Sequence, residues 1–311
     1  MTPAAAVLRV SAASLEFQNP VLLAAGTAAY GRELSGVMSI DTLGGIVTKA
    51  VSPEPRKGAA SPRVAEFEGG MINAVGLANP GLEAVRREDL PWLEQNVRLA
   101  RVVVNVVGSA VEDFAVVVGS LDDMPRVDAF ELNVSCPNVK AGGMEFGADL
   151  ATLTSLVSRA RAATTKPLFV KLSPTLPSLG DTARAAAFAG ANGITVINTI
   201  PGLVIDIETR RPALGFGSGG VSGVGLLPVG VLAVRKVAQA VDLPVIGVGG
   251  VSRGTDVVQY MMAGASLVAV GTAAMRDPRA PGKIVAELAQ WCASHDIPAI
   301  EDVIGTLEWP S

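Results

Sequence analysis

The residues best equipped for chemistry lie in one octapeptide, Glu131–Asn138, Glu-Leu-Asn-Val-Ser-Cys-Pro-Asn. It places one thiol, Cys136, between two carboxamides, Asn133 and Asn138. A carboxamide both donates and accepts hydrogen bonds, which suits a flat polar ligand. A thiol near its pKa can act as a base or nucleophile. The alternative is a buried structural cysteine, the common fate of a free Cys. Two lysines add charge: Lys49 in Thr48-Lys49-Ala50, and Lys171 inside the apolar run Leu168–Leu172. A lysine inside an apolar strand is costly unless its charge meets a partner. Its other reading is a side chain snorkelling at a rim.

These residues need strands to place them. Short apolar runs recur at Val21–Gly26, Gly45–Val51, Arg101–Gly108, Phe130–Pro137, Pro167–Pro174, Gly193–Ile200, Leu243–Gly250 and Ser266–Thr272. Helical patterns separate most of them, at Leu150–Ala163, Gly180–Gly190, Val229–Ala240 and Thr255–Ala263. Asp149 and Asp181 suit helix starts, and Gly190 and Gly264 suit stops. Buried strands alternating with helices indicate a parallel sheet. Eight units favour a (β/α)8 TIM barrel over an open sheet. A Rossmann sheet would need Gly-x-Gly-x-x-Gly after the first strand, where only Gly26 stands. A lead-in hairpin is expected over Leu8–Asn19, before the Asn19-Pro20 turn. With no low-complexity linker, residues 1–311 are expected to form one domain.

In such a barrel the functional residues gather at the strand C-termini. Those ends carry Gly26, Lys49, Asn105, Asn133 with Cys136, Lys171, Asn198, Gly249-Gly250 and Gly271-Thr272. Three stretches exceed the bare repeat: Val51–Pro80, Asn138–Gly147 and Ile200–Gly225, the last with a hairpin expected around Leu203–Leu214. Long loops after barrel strands commonly form walls or lids. Asn138–Gly147 is expected to be a lid.

Strand seven ends in Gly249-Gly250 and strand eight in Gly271-Thr272, and Gly219-Gly220 with Ser222-Gly223 precede them. Glycines let backbone N–H groups approach a phosphate, and barrels commonly hold phosphate after these strands. The glycines could instead serve tight turns alone, and a phosphate by itself does not choose a flavin over a sugar phosphate.

Composition narrows the classes. The chain has 311 residues, 49% hydrophobic and only 4% aromatic, so its core must rest on Ala, Val, Leu and Ile. Net charge is −4 without basic runs, which argues against nucleic acid. No apolar stretch is long enough for a membrane span, and Met1–Val10 is a poor signal peptide. Two cysteines, Cys136 and Cys292, cannot form a disulfide framework or hold an iron–sulfur cluster. The single histidine, His295, reads as surface, so histidine-based catalysis is not expected. A reducing cytoplasm fits these features.

With these residues assembled, the chain resembles the class 1 dihydroorotate dehydrogenases from Val21 to about Pro281. The most specific pieces are Thr48-Lys49-Ala50, Asn73–Pro80, Glu131–Asn138, Val170-Lys171-Leu172 and Gly247–Val251. The Cys in the fourth-strand motif is similar to class 1; class 2 enzymes place Ser there and carry a membrane-binding N-terminal extension. The resemblance implies FMN in the barrel mouth and oxidation of dihydroorotate to orotate in pyrimidine biosynthesis. It implies Cys136 as the base at substrate C5, hydride passing from C6 to the flavin, and Lys171 as positive charge at the flavin N1/O2 edge. FMN would meet Ala25 (through its backbone), Gly26, Lys49, Ala50, Asn105, Asn133, Lys171, Ile197, Gly223, Gly249, Gly250, Gly271 and Thr272. Substrate would meet Lys49, Asn73, Ala74, Val75, Gly76, Leu77, Asn133, Asn138, Asn198 and Thr199.

Asn73–Gly81 and Asn198–Gly223 are more similar to class 1B than to class 1A. That likeness implies electron transfer to NAD through a partner subunit holding FAD and a 2Fe-2S cluster. It implies a homodimer within a heterotetramer. A fumarate-using class 1A enzyme and a sugar-phosphate aldolase or isomerase with a Schiff-base Lys171 remain the alternatives.

Overall fold

The structure is a computed structural model that describes residues 7–135, 137–138 and 144–310. Cys136 and residues 139–143, the middle of the expected lid, lie outside the described residues.

Eight parallel strands close a barrel in sequence order: Val21–Leu23, Gly45–Val47, Arg101–Val106, Ala129–Asn133, Leu168–Leu172, Gly193–Val196, Val245–Val248 and Leu267–Val270. The (β/α)8 expectation therefore holds. Apart from Arg101, which opens the third, the strands are fully buried runs, as expected where helices cover one face and the packed interior the other. Glycine permits the tightest approaches: a Cβ on Gly45 would lie 2.7 Å from the Arg101 carbonyl oxygen. Val and Leu dominate the core, and Phe130 and Phe169 supply its bulk from neighbouring strands.

Most strands end earlier than the apolar runs suggest. The first stops at Leu23 and the fourth at Asn133, where the expected runs extend to Gly26 and Pro137. Beyond the first, second, sixth, seventh and eighth strands the chain leaves the ladder to line the mouth, and Gly26 turns there with φ +79°. Pro137 does not end the fourth strand. It opens a two-residue strand, Pro137–Asn138, paired antiparallel with Met144–Glu145. Just after this pair, Phe146 packs edge-on against Phe114, with ring centroids 5.4 Å apart.

The helices Leu150–Ala162, Leu179–Phe188, Leu227–Ala238 and Gly254–Met262 match the sequence pattern. Asp149 caps the first of them, accepting from the Thr152 N–H at 2.8 Å. The cap expected at Asp181 is instead Ser178, whose hydroxyl accepts the Asp181 N–H. Asp181 sits inside the first turn, where its charge favours the helix dipole. Gly190 and Gly264 follow their helices at positive φ, the usual glycine stop.

The lead-in hairpin is present as Val10–Ala12 against Leu15–Phe17. Its two turn residues, Ala13 and Ser14, both adopt positive φ, the geometry of a type I′ turn. The two longest insertions meet each other. Val64–Phe67 and Gly70–Asn73 leave after the second strand; Ile200–Gly202 and Gly219–Ser222 leave after the sixth. Together they form a four-stranded antiparallel sheet, with Gly220 opposite Asn73. The hairpin expected around Leu203–Leu214 pairs Ile205–Asp206 with Arg211–Pro212. This sheet stands over the barrel mouth as a wall.

Among the described residues, no helix is long and apolar enough to cross a membrane. His295 is exposed and stacks on Trp291, with ring centroids 4.4 Å apart.

Candidate active site

One cavity of about 660 Å³ opens between the strand C-termini and the wall sheet. That volume falls within the range of small-molecule and cofactor sites. Every site residue expected from the sequence lines it, apart from Cys136 and Asn138. Cys136 lies outside the described residues, and Asn138 lies on the short strand after the fourth barrel strand.

At one end, amides and lysines converge. Asn105, on the third strand, is 1% exposed. Its Nδ2 donates to Glu131 Oε1 at 2.7 Å, while its Oδ1 is buried with no partner among the described residues. Because the Glu131 oxygen accepts Nδ2, Oδ1 of this amide faces away from it. Lys171, only 6% exposed, stands in register with Asn133 on one side and Thr195 on the other. Asn198 Nδ2 donates to Asn133 Oδ1 at 3.3 Å, and Asn198 Oδ1 accepts the Thr199 N–H at 2.9 Å. The Val196–Ile197 peptide, where the sixth strand turns into this region, is cis.

Lys49 is half-buried, and its N–H donates to the Ala29 carbonyl at 2.8 Å. Burial holds its ammonium below the ordinary lysine pKa, the Arg63 charge adds to that, and Glu33 opposes it. The wall supplies Asn73, whose Nδ2 donates to Gly220 O at 3.2 Å. Ala74, Val75, Gly76 and Leu77 continue from it along the cavity. Gly220 must be glycine, because a Cβ there would lie 2.0 Å from Thr199 Oγ1.

At the other end, backbone replaces side chains. Gly249, Gly250 and Gly271 bring bare backbone to the lining. Gly250 turns with φ +73°, and a Cβ on it would lie 2.3 Å from the Leu227 nitrogen. Tyr260 braces this turn from behind, donating to Gly249 O at 2.7 Å. Ser222 and Gly223 reach the cavity, whereas Gly219 and Gly220 serve strand packing. Thr272 Oγ1 donates to Ser222 Oγ at 2.8 Å, tying wall to barrel. The following helix, Gly254–Met262, offers little to an anion. Asp256 accepts the Ser252 and Arg253 N–H groups, and Glu287 accepts that of Gly254.

The cavity also includes residues that the sequence reading missed, among them Thr27, Val64, Gly70, Met71, Ser252 and Arg276. Those on the wall depend on antiparallel pairing between two distant insertions, which leaves no local pattern. Arg276 was legible: it lies four residues after Thr272, one helical turn along.

A closed (β/α)8 barrel with a cavity at its strand C-termini, apolar for the most part and set with amides and lysines, is the architecture of a barrel enzyme. The family model described as Dihydroorotate dehydrogenase matches residues 7–291, and the chain belongs to that family. The chain is 42% identical over 301 residues to the dihydroorotate dehydrogenase B (NAD(+)), catalytic subunit, of Pelobacter propionicus, covering 97% of this chain and 98% of that one. The Geobacter sulfurreducens protein of the same name matches equally, at 42% identity with the same coverage. The Bacillus pumilus one is 42% identical over 96% of each chain. These names carry the class 1B resemblance read from the sequence. The fold is also similar to the crystal structure of DHODH in complex with ferulenol from Eimeria tenella. The TM-score is 0.81 at 24% identity, covering 96% of this chain and 88% of that one.

Proposed function

We propose that this chain is the FMN-dependent catalytic subunit of a class 1B enzyme, oxidising dihydroorotate to orotate for pyrimidine synthesis. The observation that carries this reading is one cavity with two unlike ends: lysines and amides at one, bare glycine backbone at the other. The residues present fit the cofactor. Asn105 Oδ1 is a buried acceptor without a donor among the described residues. A Cβ on Gly26 would meet no protein atom within 4 Å, and one on Gly271 none closer than 3.8 Å, so the lining stays open there. FMN would lie along Ala25, Gly26, Lys49, Ala50, Asn105, Asn133, Lys171 and Ile197. Its phosphate would sit toward Gly223, Gly249, Gly250, Gly271 and Thr272. Residues 1–311 act as one FMN-binding unit in this reading.

When bound, FMN supplies the hydride acceptor. The chain's own residues do the rest. Cys136, as thiolate, takes the proton from substrate C5. Lys171 would hold positive charge beside the bound cofactor, fixed in place by the barrel strand that carries it. Asn73, Asn133, Asn138, Asn198 and Thr199 match their donors and acceptors to the amide edges of the pyrimidine, beside Ala74–Leu77. Lys49 meets the substrate carboxylate.

Electrons leave to NAD through a separate subunit, a reading supported by the relatives' name of NAD(+) catalytic subunit; that subunit would hold FAD and a 2Fe-2S cluster. We place the enzyme in the cytoplasm, as a homodimer within a heterotetramer. Anaerobic mixing with dihydroorotate tests the core reading: the isolated, yellow chain should bleach and reduce artificial acceptors, yet pass little to NAD until the partner is added. A colourless chain that FMN cannot reconstitute would sink the redox reading, and efficient turnover with fumarate would move it to class 1A.

A further inference from the structure

The cavity's charges are unevenly placed. No carboxylate lines it among the described residues, and its cations are Lys49, Lys171 and Arg276. Both lysines belong to the amide end. Arg276 alone stands toward the glycine end, at the close of the short helix Thr272–Arg276 that leaves the eighth strand. It lies four residues after Thr272, so the two side chains share a helix face. Helical Cα–Cβ bonds tilt toward the N-terminus, so a guanidinium released from Glu66 can reach back toward Gly271 and Thr272.

A phosphate monoester needs more than glycine N–H groups there. It carries about −1.5 to −2 charges at neutral pH. The nearby helix start is already committed to two carboxylates, Asp256 and Glu287. Neutralisation therefore falls to Arg276, whose planar fork suits phosphate oxygens. Its present partner is a weak competitor. Arg276 Nε lies 3.7 Å from Glu66 Oε1 on the wall strand Val64–Phe67, with side-chain exposures of 56% and 65%. Such an exposed pair contributes little, so a dianion can displace it.

Resting on the reading that FMN fills this cavity, we propose that Arg276 is a phosphate clamp. Its guanidinium exchanges Glu66 for the cofactor phosphate and so selects the phosphorylated flavin over riboflavin.

The test is a fluorescence titration of the deflavinated full-length chain with FMN and with riboflavin, at low and high salt. Arg276→Gln should weaken FMN at least about tenfold, the scale of one charge-assisted bond. It should leave riboflavin affinity unchanged. Arg276→Lys should recover part of the loss, and high salt should erode the FMN preference of the wild type. Glu66→Gln should tighten FMN by removing the competitor. Equal weakening of both flavins by Arg276→Gln and Glu66→Gln would mean that the pair merely straps the rim shut, and would overturn the clamp. Unchanged FMN affinity in Arg276→Gln would overturn it too. A wild-type chain that binds neither flavin would instead overturn the FMN reading itself, and the clamp with it.

Discussion

The two ends of the cavity are built on opposite principles. At the amide end, function is carried by side chains that hold one another: Glu131 orients Asn105, Asn133 accepts from Asn198, and Asn198 accepts from Thr199. At the glycine end it is carried by backbone, and the absence of side chains is the device. Gly250 can take no Cβ without striking the Leu227 backbone, and Tyr260 fills the space behind. A side-chain site can lose one group and keep its shape. A backbone site loses its shape when one group is added. Damage at the amide end should therefore impair chemistry while sparing the cofactor, and damage at the glycine end should do the reverse.

The sharpest way to break that contrast is Cys136→Ala. As general base, Cys136 should contribute on the order of 10²–10⁴-fold. Stopped-flow flavin reduction by dihydroorotate should slow by that factor, with FMN content unchanged. Cys136→Ser, with its higher pKa, should also slow reduction and move its pH optimum upward. Reduction of the alanine variant at the wild-type rate would remove Cys136 from the chemistry.

Gly250→Ala probes the other end. The left-handed backbone alone costs about 1–2 kcal/mol for a residue with a Cβ, and Leu227 must also shift. FMN affinity should fall at least about tenfold, while circular dichroism reports an intact barrel. Reconstituted with excess FMN, the variant should reduce its flavin at close to the wild-type rate. Normal FMN content in the purified variant would contradict the backbone cradle.

The two ends were also unequally legible in the sequence. Strand ends announce themselves, because an apolar run that stops at Lys49, Asn133 or Gly249-Gly250 places a polar or bare residue at the barrel mouth. That single rule, with the resemblance, recovered nearly all of the cavity on the barrel side. The wall was less legible. Gly70 and Met71 reach the cavity because Met71 pairs with Ser222, 151 residues away, and no local periodicity encodes a pairing of that kind. Cap assignment failed at Asp181 for a smaller reason: Ser178 and Asp181 are both good N-terminal residues, and spacing alone does not say which lies outside the first turn.

Lys171 tests whether the amide end spares the cofactor completely. It is buried against the barrel interior, so its charge acts at short range with little screening. Lys171→Ala should lower the reduction potential of bound flavin by tens of millivolts, about 30 mV for each 1.4 kcal/mol in a two-electron couple. FMN retention should weaken modestly. A dye-equilibration titration reads the potential directly. If borohydride instead trapped a carbonyl substrate on Lys171, the residue would be a Schiff-base lysine and the aldolase reading would take over.

The smallest expected effect concerns Lys49 and pH. Burial first, and Arg63 second, hold its folded-state pKa below that of an ordinary lysine. The sign follows from which form each state favours. In the unfolded chain Lys49 stays protonated to higher pH, so its burial costs stability below the folded pKa, and that cost fades as pH rises toward the unfolded value. A carboxylate ligand favours the charged form and opposes this shift. Orotate binding should therefore take up protons between the lowered pKa and the ordinary lysine value. Orotate affinity should begin to fall below the pH at which a free lysine titrates. Lys49→Gln should flatten that slope and weaken orotate at neutral pH about fivefold, the ~1 kcal/mol scale of a half-exposed ion pair. Calorimetry in buffers of different ionisation enthalpy counts the protons. An orotate affinity with the same pH slope in wild type and Lys49→Gln would show that the carboxylate is held elsewhere.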